Sequence, residues 1–257
     1  MPKSFLRLFM PLSKQESERY SRQMIVSGIG LRGQAKLKNA SVLVAGAGGL
    51  GGVVSAYLAA AGVGRLGFAD PGLLELSNLN RQIFYKTRDL GRAKVRLLAS
   101  FLKELNPRVR LEPLRLKLDS ENLAPLLKRY GLVVDCTDNF EARFELNKAC
   151  WRAGRTLVHG AVYGFEGQLA VIAPRRGPCL KCVFPHMPPR LKGYTPAPGP
   201  APGAIGAMQA AEVIKIICGL PHLRGRLVIY DFAHGAAHSV RLKKRRACPV
   251  CGERDEG

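Results

Sequence analysis

From Ala40 onward the chain alternates between short apolar runs and longer amphipathic or apolar stretches. SVLVAGA reads as a buried strand, GLGGVVSAYLAAAG as an apolar helix and RLGFAD as a second strand, the order expected of a parallel sheet with crossover helices. The alternation continues. A helical stretch over residues 92–105 stops at Asn106-Pro107, a strand is predicted over residues 109–114, and GLVVDCTDN reads as a buried strand running into a turn. Two β-branched runs after residue 155, TLVHGAV and QLAVIAP, extend the same sheet and do not start a second domain. There is no internal repeat. The expected architecture is therefore a single α/β domain over residues 1–257, a doubly wound, mostly parallel Rossmann-like sheet with helices on both faces.

One segment interrupts the pattern. PHMPPRLKGYTPAPGPAPG, residues 185–203, is dense in proline and glycine, which excludes a helix or central strand and predicts an extended crossover loop. AIGAMQAAEVIKIICG then resumes a helix.

Composition narrows the class. A chain of 257 residues with 47% hydrophobic residues is long enough for a substantial core. The N-terminal MPKSFLRLFMPLSK has a short apolar run broken by Arg7 and no small-residue cleavage site. No later segment reads as a bilayer span, so the expectation is a cytoplasmic protein with no membrane association. The formal charge of +21 raises the question of nucleic acid. The cations are scattered, however, and the one dense run, Arg241, Lys243, Lys244, Arg245 and Arg246, has no interleaved aromatics. A solvated basic surface, or a docking face for an acidic protein partner, is the expectation, with no nucleic acid.

Gly46, Gly48 and Gly51 form GxGxxG between a strand and a helix, with Gly49 inside the turn. At that place missing side chains let backbone N–H groups approach phosphate at the positive end of the helix. Asp70 ends the next strand, where a carboxylate can accept ribose hydroxyls. These features fit NAD and ATP equally. The stretch SNLNRQ (Ser77, Asn78, Leu79, Asn80, Arg81, Gln82), then GRAKV with Lys94, then CTDN with Asp138 and Asn139, favours phosphoryl chemistry. Asp138 and Asn139 follow a buried strand and should lie at the carboxyl edge of the sheet. There an aspartate is suited to Mg²⁺, and Arg81 and Lys94 to the charge on phosphates. Taken singly, Arg81 and Lys94 also read as surface cations, and Asp138 as the cap of a helix beginning near Phe140.

These motifs, in this order from RYSRQ (Arg19 to Gln23) through GAGGLGG, SNLNRQ, GRAKV, CTDN and AVYGFEGQLAV to CPVCG, resemble the ThiF/MoeB/HesA family, relatives of the ubiquitin-activating enzymes. The resemblance implies that Asp70 and Asn78 hold ATP, that Arg81 and Lys94 contact its phosphates and that Asp138 binds Mg²⁺. It also implies that Arg22 reaches the phosphates from the opposite subunit of a homodimer. The implied reaction is attack of a carrier protein's terminal carboxylate on the α-phosphate of ATP, giving an acyl-adenylate and pyrophosphate. The implied partner is a small ubiquitin-like sulfur carrier ending in Gly-Gly, from thiamine or molybdopterin synthesis. A nicotinamide-dependent oxidoreductase and a non-catalytic carrier-docking scaffold are the alternatives.

Seven cysteines include two CxxC pairs, Cys179/Cys182 and Cys248/Cys251. Four thiolates form a closed tetrahedral set, so a structural Zn²⁺ is expected to clip the tail, residues 247–257, to the body. Cys136, Cys150 and Cys218 fall in predicted strand or helix and read as inert packing residues. Two features depart from the family pattern. No cysteine lies between Cys182 and Cys218, where many relatives carry a transfer cysteine, and the loop offers Lys192, Tyr194 and Thr195; a separate sulfurtransferase is the corresponding expectation. Gly72 also stands where an acidic residue is often found.

Overall fold

A computed structural model describes residues 12–175, 177–186 and 196–252. Helices α1 (Lys14–Arg19), α2 (Ser21–Met24) and α3 (Gly30–Asn39) precede strand β1 (Ser41–Ala45). Then follow α4 (Gly49–Ala60), β2 (Arg65–Ala69), α5 (Lys94–Leu105), β3 (Arg110–Leu114), α6 (Ser120–Arg129) and β4 (Leu132–Asp135). The second half runs α7 (Phe140–Ala153), β5 (Thr156–Tyr163), β6 (Glu166–Ile172), α8 (Leu180–Val183), α9 (Pro200–Cys218), β7 (Arg226–Asp231) and β8 (Ala236–Arg241).

All eight strands form one sheet in the order β3-β2-β1-β4-β5-β6-β7-β8. Pairings from β3 to β5 are parallel, and those from β5 to β8 antiparallel. The apolar runs of β1 and β4 are continuous because both faces of the sheet are covered. Val42 and Val44 of β1 join the core formed with Leu58, Leu98 and Val213, whereas Leu43 and Ala45 join Leu123, Leu127 and Leu146 on the other face. The strand period of two thus sorts one sequence run into two cores.

Three features differ from the sequence reading. Helix α9 begins at Pro200, inside the stretch expected to remain loop to residue 203. Proline is tolerated in a first helical turn because the N–H it lacks has no intrahelical partner there. Residues 187–195 of that loop, with Lys192, Tyr194 and Thr195, lie outside the described residues, as do residues 1–11 and 253–257. Secondly, α9, with 19 residues, is long and apolar enough by composition to cross a membrane, although no such segment was expected. Here that apolarity faces the interior. The helix packs on α4 and on β5 and β6, and carries a buried Glu212 paired with Lys215. Thirdly, β7 and β8 occupy residues to which the pattern assigns no element; β8 is an exposed edge strand with no core face to signal it. The basic residues Lys243 to Arg246 just beyond it are solvent-exposed, as expected.

Gln209 ties α9 to the parallel half of the sheet. Its buried Nε2 donates to the carbonyls of Asp135 (2.8 Å) and Val158 (3.2 Å). Gly160 leaves the room, since a Cβ there would stand 2.3 Å from Gln209 Cδ. Gln209→Leu, of similar size without the donor, is expected to lower unfolding free energy by about 1–3 kcal/mol, seen as a reduced urea midpoint with unchanged slope.

Candidate functional site

The sheet order places the carboxyl ends of β1 and β4 side by side, with the chain leaving β1 toward β2 on one side and reaching β4 on the other. This switch point opens a crevice at the strand ends. Gly46, at φ +105°, donates its N–H to Ala69 O (2.8 Å). A Cβ on Gly46 would lie 2.6 Å from the carbonyl oxygen of Cys136, and one on Gly51 1.9 Å from that of Gly46. Gly48 occupies the N-cap of α4, which has no side-chain cap, so the first N–H groups of the helix remain available to an anion at its positive end. Gly49 faces Arg81 Cγ and Pro202, each 3.4 Å or less from where its Cβ would be.

Asp70 braces this turn from the end of β2. One carboxylate oxygen accepts Ala47 N–H (2.8 Å) and the other Gly72 N–H (2.7 Å). The buried Tyr85 hydroxyl donates to Ala47 O (2.6 Å), so both ends of the Ala47 residue are fixed. Burial, reinforced by the Asp70 charge, pushes the Tyr85 phenol up and keeps it a neutral donor. Lys94 N–H bonds Gly72 O (3.2 Å), and a Cβ on Gly72 would stand 3.5 Å from Lys94 Nζ. The bare glycine therefore leaves the ammonium space beside the Asp70 turn. Arg81 Nη1 donates to Ser77 O (2.9 Å) and Asn80 Oδ1 (2.8 Å). Ser77 is exposed, Leu79 is half-buried against the core, and Asn80 Nδ2 reaches Ala197 O (3.5 Å). Asn78 is buried with its side-chain oxygen taken by Glu75 N–H (3.2 Å), which gives it a turn-holding contact.

Across the crevice, Asn139 and not Asp138 caps α7, its Oδ1 accepting Ala142 N–H (2.9 Å). Asp138 is exposed, and its Oδ1 accepts from Asn139 Nδ2 (3.2 Å). An exposed carboxylate at this edge is a hard oxygen donor suited to a divalent cation. Beneath it lies a buried network. Asp135 Oδ1 accepts Thr137 N–H (3.0 Å) and Thr137 Oγ1–H (2.6 Å), and Oδ2 lies 2.8 Å from His159 Nδ1 and 3.4 Å from Arg143 Nε. Arg143 Nη2 also donates to Thr137 O (2.9 Å). Burial acts to raise the Asp135 carboxyl, but the His159 hydrogen bond and the Arg143 charge outweigh it and hold it below the usual carboxylate range. Burial lowers His159 and outweighs the opposing pull of Asp135. The pair is thus a neutral imidazole donating from Nδ1 to a carboxylate.

The glycine turn, Asp70, Arg81, Lys94 and Asp138 are consequently gathered around the ends of β1, β2 and β4. Arg22 is not. It is exposed on α2, whose next residue, Gln23, donates to Ala61 O at the far end of α4 (2.9 Å). A helix of 12 residues spans about 18 Å, so Arg22 lies well away from its own chain's crevice. Sequence reasoning missed Gln82, buried with Nε2 facing Gly48 and with an Oε1 that has no partner among the described residues, as well as Tyr85, Asp135, Arg143 and His159. For Gln82 the signal was present, since it closes the SNLNRQ motif.

On the face of the sheet covered by α6 and α7, the sulfurs of Cys179, Cys182, Cys248 and Cys251 all lie within 4.8 Å of one another. The Cys179–Cys248 and Cys182–Cys251 separations, 3.6 and 3.2 Å, are too long for disulfides. They approach the ~3.8 Å edge of a tetrahedron with metal–sulfur bonds of ~2.3 Å. The other three cysteines are buried too, and burial raises their thiols above the usual range, as expected of packing residues.

Comparison with known proteins gives the chain's relatives. The family model described as ThiF family matches residues 20–250. The chain is 42% identical over 256 residues to a protein of Thermus thermophilus named sulfur carrier protein adenylyltransferase, covering 95% of this chain and 94% of that one. It is 44% identical to the Anopheles gambiae protein named adenylyltransferase and sulfurtransferase MOCS3, covering 94% of this chain but 56% of the longer relative. In fold it resembles the crystal structure of E. coli MccB with MccA-N7isoASN, at TM-score 0.82 and 23% identity over 94% of this chain and 76% of that one.

Gly51→Ala forces a methyl against the Gly46 carbonyl. A loss of about 1–3 kcal/mol is expected, read as a lowered thermal midpoint, with faster amide exchange in residues 46–51.

Proposed function

The chain belongs to the ThiF family, and from that membership we propose that it adenylates the C-terminal carboxylate of a small sulfur carrier protein at the β1–β4 crevice, consuming ATP and releasing pyrophosphate. The observation that carries the reading is the convergence of the uncapped glycine turn, Asp70, Arg81, Lys94 and Asp138 on one strand edge. The Thermus relative, matched along almost its whole length, supports the choice of carrier.

In this reading the N–H groups at the start of α4 receive phosphate, and Asp70 accepts the ribose hydroxyls on the lone pairs its two backbone contacts leave open. One carrier carboxylate oxygen attacks the α-phosphorus as the bond to pyrophosphate breaks. The carboxylate is already ionised at neutral pH, so no general base is needed. Arg81 and Lys94 stabilise the charge that gathers on the α-phosphate and the departing pyrophosphate. Asp138 is the protein ligand for Mg²⁺, which when bound neutralises part of the phosphate charge. Arg22 completes the site from the second subunit of a homodimer, which agrees with its distance from the crevice of its own chain. We place the protein in the cytoplasm and its carrier in thiamine or molybdopterin synthesis. A separate sulfurtransferase acts afterwards, because residues 183–217 hold no cysteine.

ATP–pyrophosphate exchange in the presence of a Gly-Gly carrier tests the reaction. Asp138→Ala is expected to reduce exchange about 100-fold or more, and wild-type exchange in that variant would remove Asp138 from the site. Mixing Arg22→Ala with Asp138→Ala subunits should restore part of the activity, since hybrid dimers contain one intact crevice. ATP with Mg²⁺ at 100 times its Kd should add about 2.7 kcal/mol of stability, with no comparable protection from NAD.

The four-cysteine cluster is assigned to a structural Zn²⁺. Metal analysis should find it bound, and Cys179→Ser or a strong chelator should release it. Because binding energy of such sites is about 10 kcal/mol, the tail over residues 247–257 should then become protease-sensitive.

A further inference from the structure

The buried network beneath Asp138 is larger than a strand end requires. Thr137, the residue immediately before Asp138, has each of its polar groups tied: N–H and Oγ1–H to Asp135 Oδ1, and its carbonyl to Arg143 Nη2. The first two of these bonds end on one carboxylate oxygen and so depend directly on where that carboxylate points. Asp135 is fully buried, and its other oxygen is held by His159 Nδ1 at 2.8 Å, a shorter contact than the 3.4 Å to Arg143 Nε. His159 is itself fully buried on β5, opposite Asp135 in the ladder, with its ring edge-on to Phe184. Its rotation is thereby restricted, and its Nε2 has no partner among the described residues. On the far side of Asp138, Asn139 is fixed as the cap of α7.

We propose that His159 is a positioning residue for Asp138: by orienting Asp135 it fixes the turn of residues 136–139, and with it the carboxylate offered to a nucleotide-bound divalent cation. The inference rests on the proposed role of Asp138 as the metal ligand. His159 touches neither nucleotide nor carrier in this assignment. It acts through two hydrogen-bonded neighbours, as outer-shell partners of metal ligands do.

The test uses the full chain, Mn²⁺ and a non-hydrolysable ATP analogue, with metal affinity measured by electron paramagnetic resonance and amide exchange followed in residues 136–139. His159→Phe keeps a planar ring and removes the donor. It is expected to weaken Mn²⁺ binding about tenfold and to speed exchange at residues 136–139, while metal-free nucleotide affinity stays close to wild type. His159→Asn, which restores an N–H near the Nδ1 position, should recover most of the loss. Wild-type Mn²⁺ affinity and wild-type exchange in His159→Phe would overturn the proposal. Should that variant fail to fold, Thr137→Val cuts another bond to the same carboxylate, and unchanged metal affinity and exchange there would overturn it equally. Asp138→Ala separates the two ideas. If it binds Mn²⁺ and nucleotide like wild type, the metal role of Asp138 falls, and with it this assignment. If it loses Mn²⁺ while His159→Phe does not, only the positioning role of His159 falls.

Discussion

The crevice depends on the contact between two backbones. Gly46 after β1 and Cys136 after β4 are pressed so close that a methyl group on the glycine would collide with the Cys136 carbonyl. Parallel pairing of β1 with β4 sets this proximity, and the reversal of strand order leaves the space above it open. The glycine turn and the 136–139 turn are therefore not two independent loops that happen to meet. Each limits the conformation of the other, and both are anchored to the rigid centre of the sheet. A site built on such a scaffold loses little freedom when a ligand arrives.

Two carboxylates three residues apart show how burial divides their roles. Asp135 faces inward, its oxygens hydrogen-bonded by Thr137 and His159 and charge-paired with Arg143 at 3.4 Å. Removing a charge from water costs several kcal/mol unless such partners are in place, so the arrangement tolerates only a narrow range of geometries and thereby specifies one. Asp138 faces outward, and among the described residues its one side-chain hydrogen bond is from Asn139 Nδ2. The energetic demands of the first carboxylate create the conformational definition of the second.

Much of this was legible in the sequence because it depends on local rules. GxGxxG between a strand and a helix, a carboxylate at the end of the next strand, and paired CxxC motifs each follow from spacing alone, and the structure places Gly46, Asp70 and the four cysteines accordingly. What escaped depends on partners distant in the chain. His159 inside TLVHGAV looks like one polar residue in a β-branched run, and only the β4–β5 register brings it to Asp135. Tyr85 and Gln82 are ordinary until the turn folds over Ala47 and Gly48. The start of α9 was misplaced for a different reason: proline density was read as incompatible with helix, although the first turn is the one place where a missing N–H costs nothing.

Helix α9 links these parts. Its first turn, at Pro202, packs against Gly49 at the head of α4, and two turns later Gln209 binds the carbonyls of Asp135 and Val158. One rigid element thus touches the glycine turn at one point and the base of the Asp138 turn at another. The segment leading into it also lies on the SNLNRQ stretch, through Ala197 and Gly199 against Asn80. A helix of 19 residues held between α4 and the sheet cannot shift at one end without disturbing the other. The apolar character that makes α9 resemble a membrane span is what this placement requires, because a helix buried between α4 and the sheet has few positions at which a charge can reach water.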